Sequence, residues 1–286
     1  MSITHRKPVI LITGCSSGIG AHCARRLRDD GWHVIASARK PEDLDRLRAD
    51  GFEAFALDYA EPQSIAAFFE AAMAASGGRC DALYNNGAIS QVGAVEDLPP
   101  AALRHQLEVN LIGYHDLTRR VIPVMRAQGS GRIVQCASVL GRMPVRWLGA
   151  YTASKYALEG LTLTLRMELA GSGIHVSLIE PGPIESNIAT NALGHFQDNI
   201  NAEQSPHAAD YASRIDRLRG GTLSSDKRLL RRSKTGPEAV YKAVRRALTS
   251  AAPRPHYPVT LEARIGLIAQ RVLPSALFYR LLARSS

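Results

Sequence analysis

The sequence predicts a single α/β domain built as a doubly wound parallel sheet, and three observations carry that expectation. Short apolar runs alternate with helix-compatible stretches, the first run ends in a glycine-rich turn, and the length of 286 residues suits one large core. Val9–Thr13 (VILIT) is β-branched and apolar, and Ile19–Arg28 after the turn has helix-forming composition. The alternation continues with strands expected at His33–Ser37, Ala54–Leu57 and Ala82–Tyr84, and helices expected from Pro41 and Pro62. A long helical region follows from Pro100 to Ala127, then a strand at Arg132–Cys136, a helix at Ala150–Ala170 and a strand at Ile174–Ile179. Six such strands place a ligand crevice at their carboxyl ends. Between residues 187 and 235 the periodicity weakens and polar residues accumulate, which reads as a long substrate-covering insertion within the one domain of residues 1–286.

Composition narrows the function classes. Hydrophobic residues make up 45% and charged residues 21% of the chain, a globular balance. No apolar run approaches the roughly 20 residues of a membrane helix. Val9–Ile12 is too short for a signal-peptide core, so a cytoplasmic protein is expected. Cys15, Cys23, Cys80 and Cys136 share no metal-binding spacing, so neither a metal site nor a disulfide framework is expected. The first 186 residues balance 19 basic against 19 acidic groups, whereas the last hundred carry 16 against 7. Without a reading motif that excess does not indicate nucleic acid, and it leaves open an acidic partner, a phosphorylated ligand or an anionic membrane.

The turn after the first strand reads Thr13-Gly14-Cys15-Ser16-Ser17-Gly18-Ile19-Gly20. Glycines there let backbone approach a pyrophosphate that the amides of a helix N-terminus can bind. After the second strand, where a carboxylate would hold the ribose hydroxyls of NAD, the chain has Ser37-Ala38-Arg39-Lys40. A guanidinium at position 39 favours the 2′-phosphate of NADP(H). Asp58, after the third strand, either accepts from an adenine amino group or caps the helix before Pro62.

Tyr151-Thr152-Ala153-Ser154-Lys155 puts a phenol and an ammonium on one helical face. The cation is expected to stabilise the phenolate and bring a pKa of about 10 towards working pH. The pair is unspecific alone, since chance supplies roughly 0.2 such matches in a chain of this composition. Ser138 ends the fifth strand, where a hydroxyl can stabilise charge on a substrate oxygen. Asn110 is a mediocre helix former inside a helical stretch, which suggests a buried polar role.

TGCSSGIG, Asn110, Ser138 and YTASK, in this order and spacing, resemble the short-chain dehydrogenase/reductase family over residues 8 to 186. The resemblance implies a Rossmann-type sheet, with Tyr151 as proton donor or acceptor and Lys155 on the nicotinamide ribose. It further implies that Ser138 orients the substrate oxygen and that Asn110 holds a water in a proton relay. Gly14, Ser16, Ser17, Gly18, Ile19, Gly20 and Asn86 correspond to the family's cofactor contacts. Pro181, Gly182, Pro183 and Ile184 correspond to the segment near the nicotinamide carboxamide, with Ser186 where a threonine is frequent. Two departures stand out. The family's Asn-Asn-Ala-Gly reads Asn85-Asn86-Gly87-Ala88, which would strain Ala88 if that place needs a positive φ, and the paired serines of strand five read Ala137-Ser138.

In residues 260–286, Leu261, Ile265, Ile268 and Val272 recur at helical spacing, Pro274 interrupts, and Leu277, Phe278, Leu281 and Leu282 follow, interspersed with Arg264, Arg271, Arg280 and Arg284. This basic amphipathic segment packs on the domain or a second subunit, covers an apolar pocket, or makes peripheral contact with an anionic membrane. It is similar to the tails of steroid and retinol dehydrogenases, which points to a hydrophobic alcohol or carbonyl substrate. The long helices before strand five and after Tyr151 resemble the family's pairing elements, which implies a homo-oligomer. The leading expectation is therefore an NADP(H)-dependent enzyme interconverting an alcohol with a ketone or aldehyde. The alternative is a catalytically idle NADP(H)-binding regulator.

Overall fold

The computed structural model describes residues 6–184, 188–220 and 236–285. Ser186, and residues 187 and 221–235 of the expected insertion, lie outside the described residues. In chain order the elements begin β1 (Val9–Ile12), α1 (Gly18–Asp29), β2 (His33–Ala38), α2 (Pro41–Ala49), β3 (Glu53–Ala56), α3 (Pro62–Ser76) and β4 (Ala82–Asn85). They continue with α4 (Pro100–Leu107), a π-helical turn (Glu108–Ile112), α5 (Gly113–Gln128), β5 (Gly131–Cys136), α6 (Gly149–Glu168) and β6 (Ile174–Glu180). The remainder is α7 (Ile188–Asn199), α8 (Ala208–Arg219), α9 (Pro237–Thr249), β7 (His256–Pro258), α10 (Leu261–Val272) and α11 (Ser275–Ser285).

Among the described residues the strands form one parallel sheet in the order β3-β2-β1-β4-β5-β6-β7. The chain reverses its direction of winding between β1 and β4, so their carboxyl ends frame the crevice. Alternation along β1 shows how both faces are buried. Ile10 and Ile12 join Cys23 and Leu27 of α1 and Val240 and Val244 of α9. Val9 and Leu11 join Phe68 of α3, Val121 of α5 and Leu158 of α6 on the other face.

The six expected strands are present. β7 is an addition: its three residues, His256-Tyr257-Pro258, are too few and too proline-flanked to alternate legibly, yet they pair with Leu178–Glu180 of β6. α9 is also an addition, fastened to α1 by Tyr241 donating to Asp30 (2.6 Å) and His22 meeting Glu238 (2.8 Å).

The expectation of one long loop over residues 187–235 is corrected for its described part, where α7 and α8 form a helical cap. Its helices are short, and their apolar residues face a small cluster of their own, not the main core. Phe196 and Tyr211 meet Trp147 and Leu148 there. One partly buried hydrogen-bond group ties the cap down. The Tyr211 hydroxyl donates to Asp97 and accepts from the Ala94 amide (2.8 Å), and Ser205 donates to the same carboxylate (2.6 Å). Burial and the Asp97 carboxylate push the Tyr211 pKa up to about 12, so it stays a donor. Tyr211→Phe leaves Asp97 and the Ala94 amide short of a partner, with an expected cost of about 1–3 kcal/mol. In thermal unfolding this reads as a melting temperature lowered by several degrees.

Candidate active site

The expected site residues converge along the carboxyl edge of the sheet. Gly14 and Gly18 have φ of +68° and +55°, the left-handed region that glycine adopts without strain. Space is equally decisive: a Cβ on Gly20 would lie 2.2 Å from the Gly14 carbonyl oxygen, and one on Gly14 would lie 2.5 Å from Gly87 Cα. β1 and β4 therefore meet backbone to backbone. Thr13 pins them, its Oγ1 accepting from the Asn86 and Gly87 amides (2.8 and 3.1 Å) and sitting 2.9 Å from the Tyr59 hydroxyl. Asn86 returns a hydrogen bond from Nδ2 to the Thr13 carbonyl (3.0 Å). Ser16, Ser17, Gly18 and Ile19 stay half-exposed at the start of α1, whose first turn carries no acid and whose cap residue Ser17 makes no side-chain cap bond. These amides and glycines fit a pyrophosphate-bearing cofactor.

Arg39 stands exposed at the end of β2, with no ion pair to an acid among the described residues. Asp58 Oδ1 accepts from the Ala60 amide (3.0 Å), closing its own turn, while Glu61 occupies the cap position of α3. The helix-cap alternative for Asp58 is thereby corrected. Gly87 and Ala88 both lack a positive φ, so the feared strain at Ala88 does not arise. The glycine is useful one place earlier, where it faces Gly14.

Ser138 follows β5, and its Oγ accepts from the Leu140 amide (3.1 Å), capping the turn Val139–Gly141. Tyr151 and Lys155 lie on the first two turns of α6, and both side chains are buried. Lys155 Nζ donates to the Cys136 carbonyl (2.7 Å) and sits 5.3 and 5.6 Å from the ring centroids of Tyr114 and Tyr151. Desolvation lowers the Lys155 pKa to about 8. Burial raises the Tyr151 pKa above its ordinary value of 10.0, against the lowering effect of a hydrogen bond with Ser138. The expected downward pull of Lys155 is thus corrected: among the protein's own groups burial is the largest influence on Tyr151, and it raises the pKa.

Asn110 is fully buried in the π-helical turn, where the widened backbone lets its side chain leave the helix. Its Oδ1 accepts from the Ile89 amide and its Nδ2 donates to the Ile89 carbonyl (both 3.0 Å) and to Ser154 Oγ (3.2 Å). Pro181 is buried and accepts from the Val139 amide (3.0 Å), joining the β6 exit to the Ser138 turn. A Cβ on Gly182 would lie 2.3 Å from Thr260 Oγ1, and Ile184 packs half-buried on the core.

Residues 8–195 match the family described as short chain dehydrogenase. The chain belongs to this family. An uncharacterized oxidoreductase of Escherichia coli, YbbO, is 38% identical over 96% of this chain and 93% of its own length. Human 17-beta-hydroxysteroid dehydrogenase type 1 is 37% identical over 66% of this chain and 60% of its own. Among solved structures, an actinorhodin polyketide ketoreductase with NADPH aligns at TM-score 0.70 and 29% identity, covering 88% of this chain and 95% of that one. A short-chain dehydrogenase/reductase from Burkholderia phymatum in complex with NAD aligns at 0.76 and 25% identity, covering 93% and 95%. This short-chain dehydrogenase is thus an oxidoreductase by family, with both NADPH and NAD represented among its structural neighbours.

Sequence reasoning missed a charged group directly behind the site. Glu180 at the end of β6 is fully buried, His256 Nδ1 lies 2.9 Å from it, and Glu159 and Arg142 complete the group. The four residues span more than a hundred positions and share no local pattern: the fold brings Arg142, Glu159 and Glu180 together, and the β6–β7 pairing adds His256. Burial first, and the Glu180 charge second, push the Glu159 pKa from 4.5 to about 7. The folded state therefore holds a proton that the unfolded chain has released between those values, and stability falls as pH rises through that window. Glu159→Gln is expected to flatten this dependence, read as a smaller loss of melting temperature between pH 5 and pH 7.5.

Proposed function

We propose that this short-chain dehydrogenase is an NADP(H)-dependent enzyme interconverting a hydrophobic alcohol with its ketone or aldehyde, with Tyr151 as general acid/base. The observation that carries this reading is the burial of Ser138, Tyr151 and Lys155 together at the carboxyl end of β5, the same edge of the parallel sheet on which the Gly14–Gly20 turn leaves β1. The bound nicotinamide supplies or takes up the hydride. In reduction Tyr151 gives its phenolic proton to the carbonyl oxygen, and its raised pKa keeps that proton available at neutral pH. Ser138, hydrogen-bonded with the phenol, steadies the same oxygen. Lys155 is placed to hold ribose hydroxyls and to favour the phenolate once the proton has left. Asn110 acts as a positioning residue, clamping the Ile89 backbone and the Ser154 hydroxyl, which in turn donates to the Tyr151 carbonyl (2.7 Å).

Arg39 supports NADP(H) over NAD(H), since its exposed guanidinium has no ion-pair partner among the described residues and stands where an acid would otherwise hold the ribose hydroxyls of NAD. An apolar substrate is supported by Leu140, Val145 and Trp147, partly buried apolar residues on the segment between Ser138 and Tyr151. Trp147 has a φ of +70°, a strained value for a bulky residue, and is held by edge-to-face contacts with Tyr211 and His207. Four free, buried cysteines support a reducing, cytoplasmic setting. Exposed Leu161 and Met167 on α6 support pairing with a second copy.

The test is NADPH consumption with a panel of apolar ketones, aldehydes, steroids and retinoids. Turnover is expected, with Tyr151→Phe losing at least about a hundredfold in kcat while still binding NADPH. Unchanged NADPH binding with no turnover on any member of the panel would instead favour the regulatory alternative. Arg39→Asp is expected to weaken NADPH by ten- to a hundredfold, on the order of the 1.5–3 kcal/mol of a charged hydrogen bond, while sparing NADH. Fluorescence titration with both cofactors checks it.

A further inference from the structure

An amphipathic helix on a globular domain ordinarily turns its apolar stripe inward. α10 does the reverse. Leu261, Ile265, Ile268 and Val272, spaced four, three and four residues apart, form one stripe and are 67%, 57%, 63% and 74% exposed. The opposite face carries Ala263, Gly266 and Gln270, and that face meets the domain. Ala263 is buried, a Cβ on Gly266 would lie 2.6 Å from the Met143 methyl carbon, and Gln270 donates to the Arg142 carbonyl. Small residues thus seat the helix and aliphatic residues face away. α11 continues the surface with exposed Leu277, Tyr279 and Leu281, while Phe278 is the one buried side chain among its described residues.

Charge selects the occupant. Residues 261–286 contain four arginines and one acid, Glu262. Arg264 and Arg271 lie along one flank of the stripe, and Arg280 is exposed on α11. An antiparallel two-fold contact with a second copy would crowd these arginines at one rim, and a parallel one would leave each pair without an acid of residues 261–286 on its own flank. Anionic headgroups beside acyl chains satisfy both the arginines and the aliphatic stripe. The helices are short, about 18 Å each, and no helix of the described residues is long and apolar enough to cross a membrane, so the element would lie along a surface.

We infer that α10 and α11 dock this protein on an anionic lipid surface through the Leu261–Ile265–Ile268–Val272 stripe and its flanking arginines. The seat of α10 lies against Arg142 and Met143, a few residues from Ser138, and Thr260 at its start touches Gly182. Docking therefore brings the Ser138 side of the domain towards the bilayer, where apolar alcohols and carbonyl compounds concentrate. That last step rests on the proposed activity. The docking does not, because its residues lie outside the catalytic cluster.

Co-sedimentation of the full chain with phosphatidylcholine vesicles, with and without about one-third phosphatidylserine, tests it. Binding at least about tenfold stronger to the anionic vesicles is expected, weakening with added salt. Ile265→Glu with Ile268→Glu should reduce that binding tenfold or more, and Arg264→Glu with Arg271→Glu should remove its salt-sensitive part. Unchanged melting temperatures show that both variants fold. Equal binding to the two kinds of vesicle, or binding indifferent to both double variants, overturns the inference. So does a wild type that ignores vesicles yet forms a dimer in light scattering that the isoleucine variant splits, since a second copy would then cover the stripe.

Discussion

The constraint on which this structure turns is a buried ammonium with no carboxylate beside it. Lys155 is 1% exposed, and among the described residues no acid lies within ion-pair distance of Nζ. Its hydrogen-bond partner is the Cys136 carbonyl, and the faces of Tyr114 and Tyr151 supply the remaining favourable field. Burying a lone charge is costly, and here the cost appears as a pKa lowered to about 8. A fold that sought only stability would place an aliphatic residue there. Retaining lysine makes sense where the charge is needed by something that arrives later, and the glycine-framed crevice beside it is where such a ligand fits.

Everything around Lys155 serves to hold that position. The Cys136 carbonyl is fixed because β5 pairs with β4 on one side and β6 on the other. α6 is held from the opposite direction by Ser154 on Asn110, and Asn110 clamps the loop leaving β4. The π-helical turn is what permits this, since in a regular helix the Asn110 side chain would project along the helix surface. Gly113 follows immediately, and a Cβ there would lie 2.5 Å from the Tyr59 carbonyl oxygen, so helix α5 too depends on close backbone approach.

The parts of this arrangement that were legible in the sequence are those that local chemistry dictates. β1, the glycine turn and α1 follow from a β-branched run, three glycines and a helical stretch. Tyr151 and Lys155 share a face because they are four residues apart on a helix. Ser138 was legible as a residue ending a strand at the ligand edge. What could not be read depends on long-range placement. The Glu159–Glu180–His256 group has no pattern before β7 is paired, and β7 is too short to announce itself. The Tyr151 pKa was misjudged because residue spacing reports a neighbouring charge and says nothing of burial. α7 and α8 looked like loop because their apolar residues serve a local cluster around Trp147, which the core-facing periodicity of the other helices does not resemble.

The same distinction explains the C-terminal helices. Periodicity identified the stripe on α10 correctly and left its direction open, since an amphipathic pattern shows that two faces differ without saying which one meets the protein. The structure decides by size: Ala263 and Gly266 admit a close approach to Met143 that leucine or isoleucine would block. The small-residue face is therefore the only one that can seat the helix this near the Ser138 turn, and the aliphatic face is turned outward as the consequence. An element that packs through its smallest side chains and presents its largest apolar ones is organised for a contact beyond its own domain.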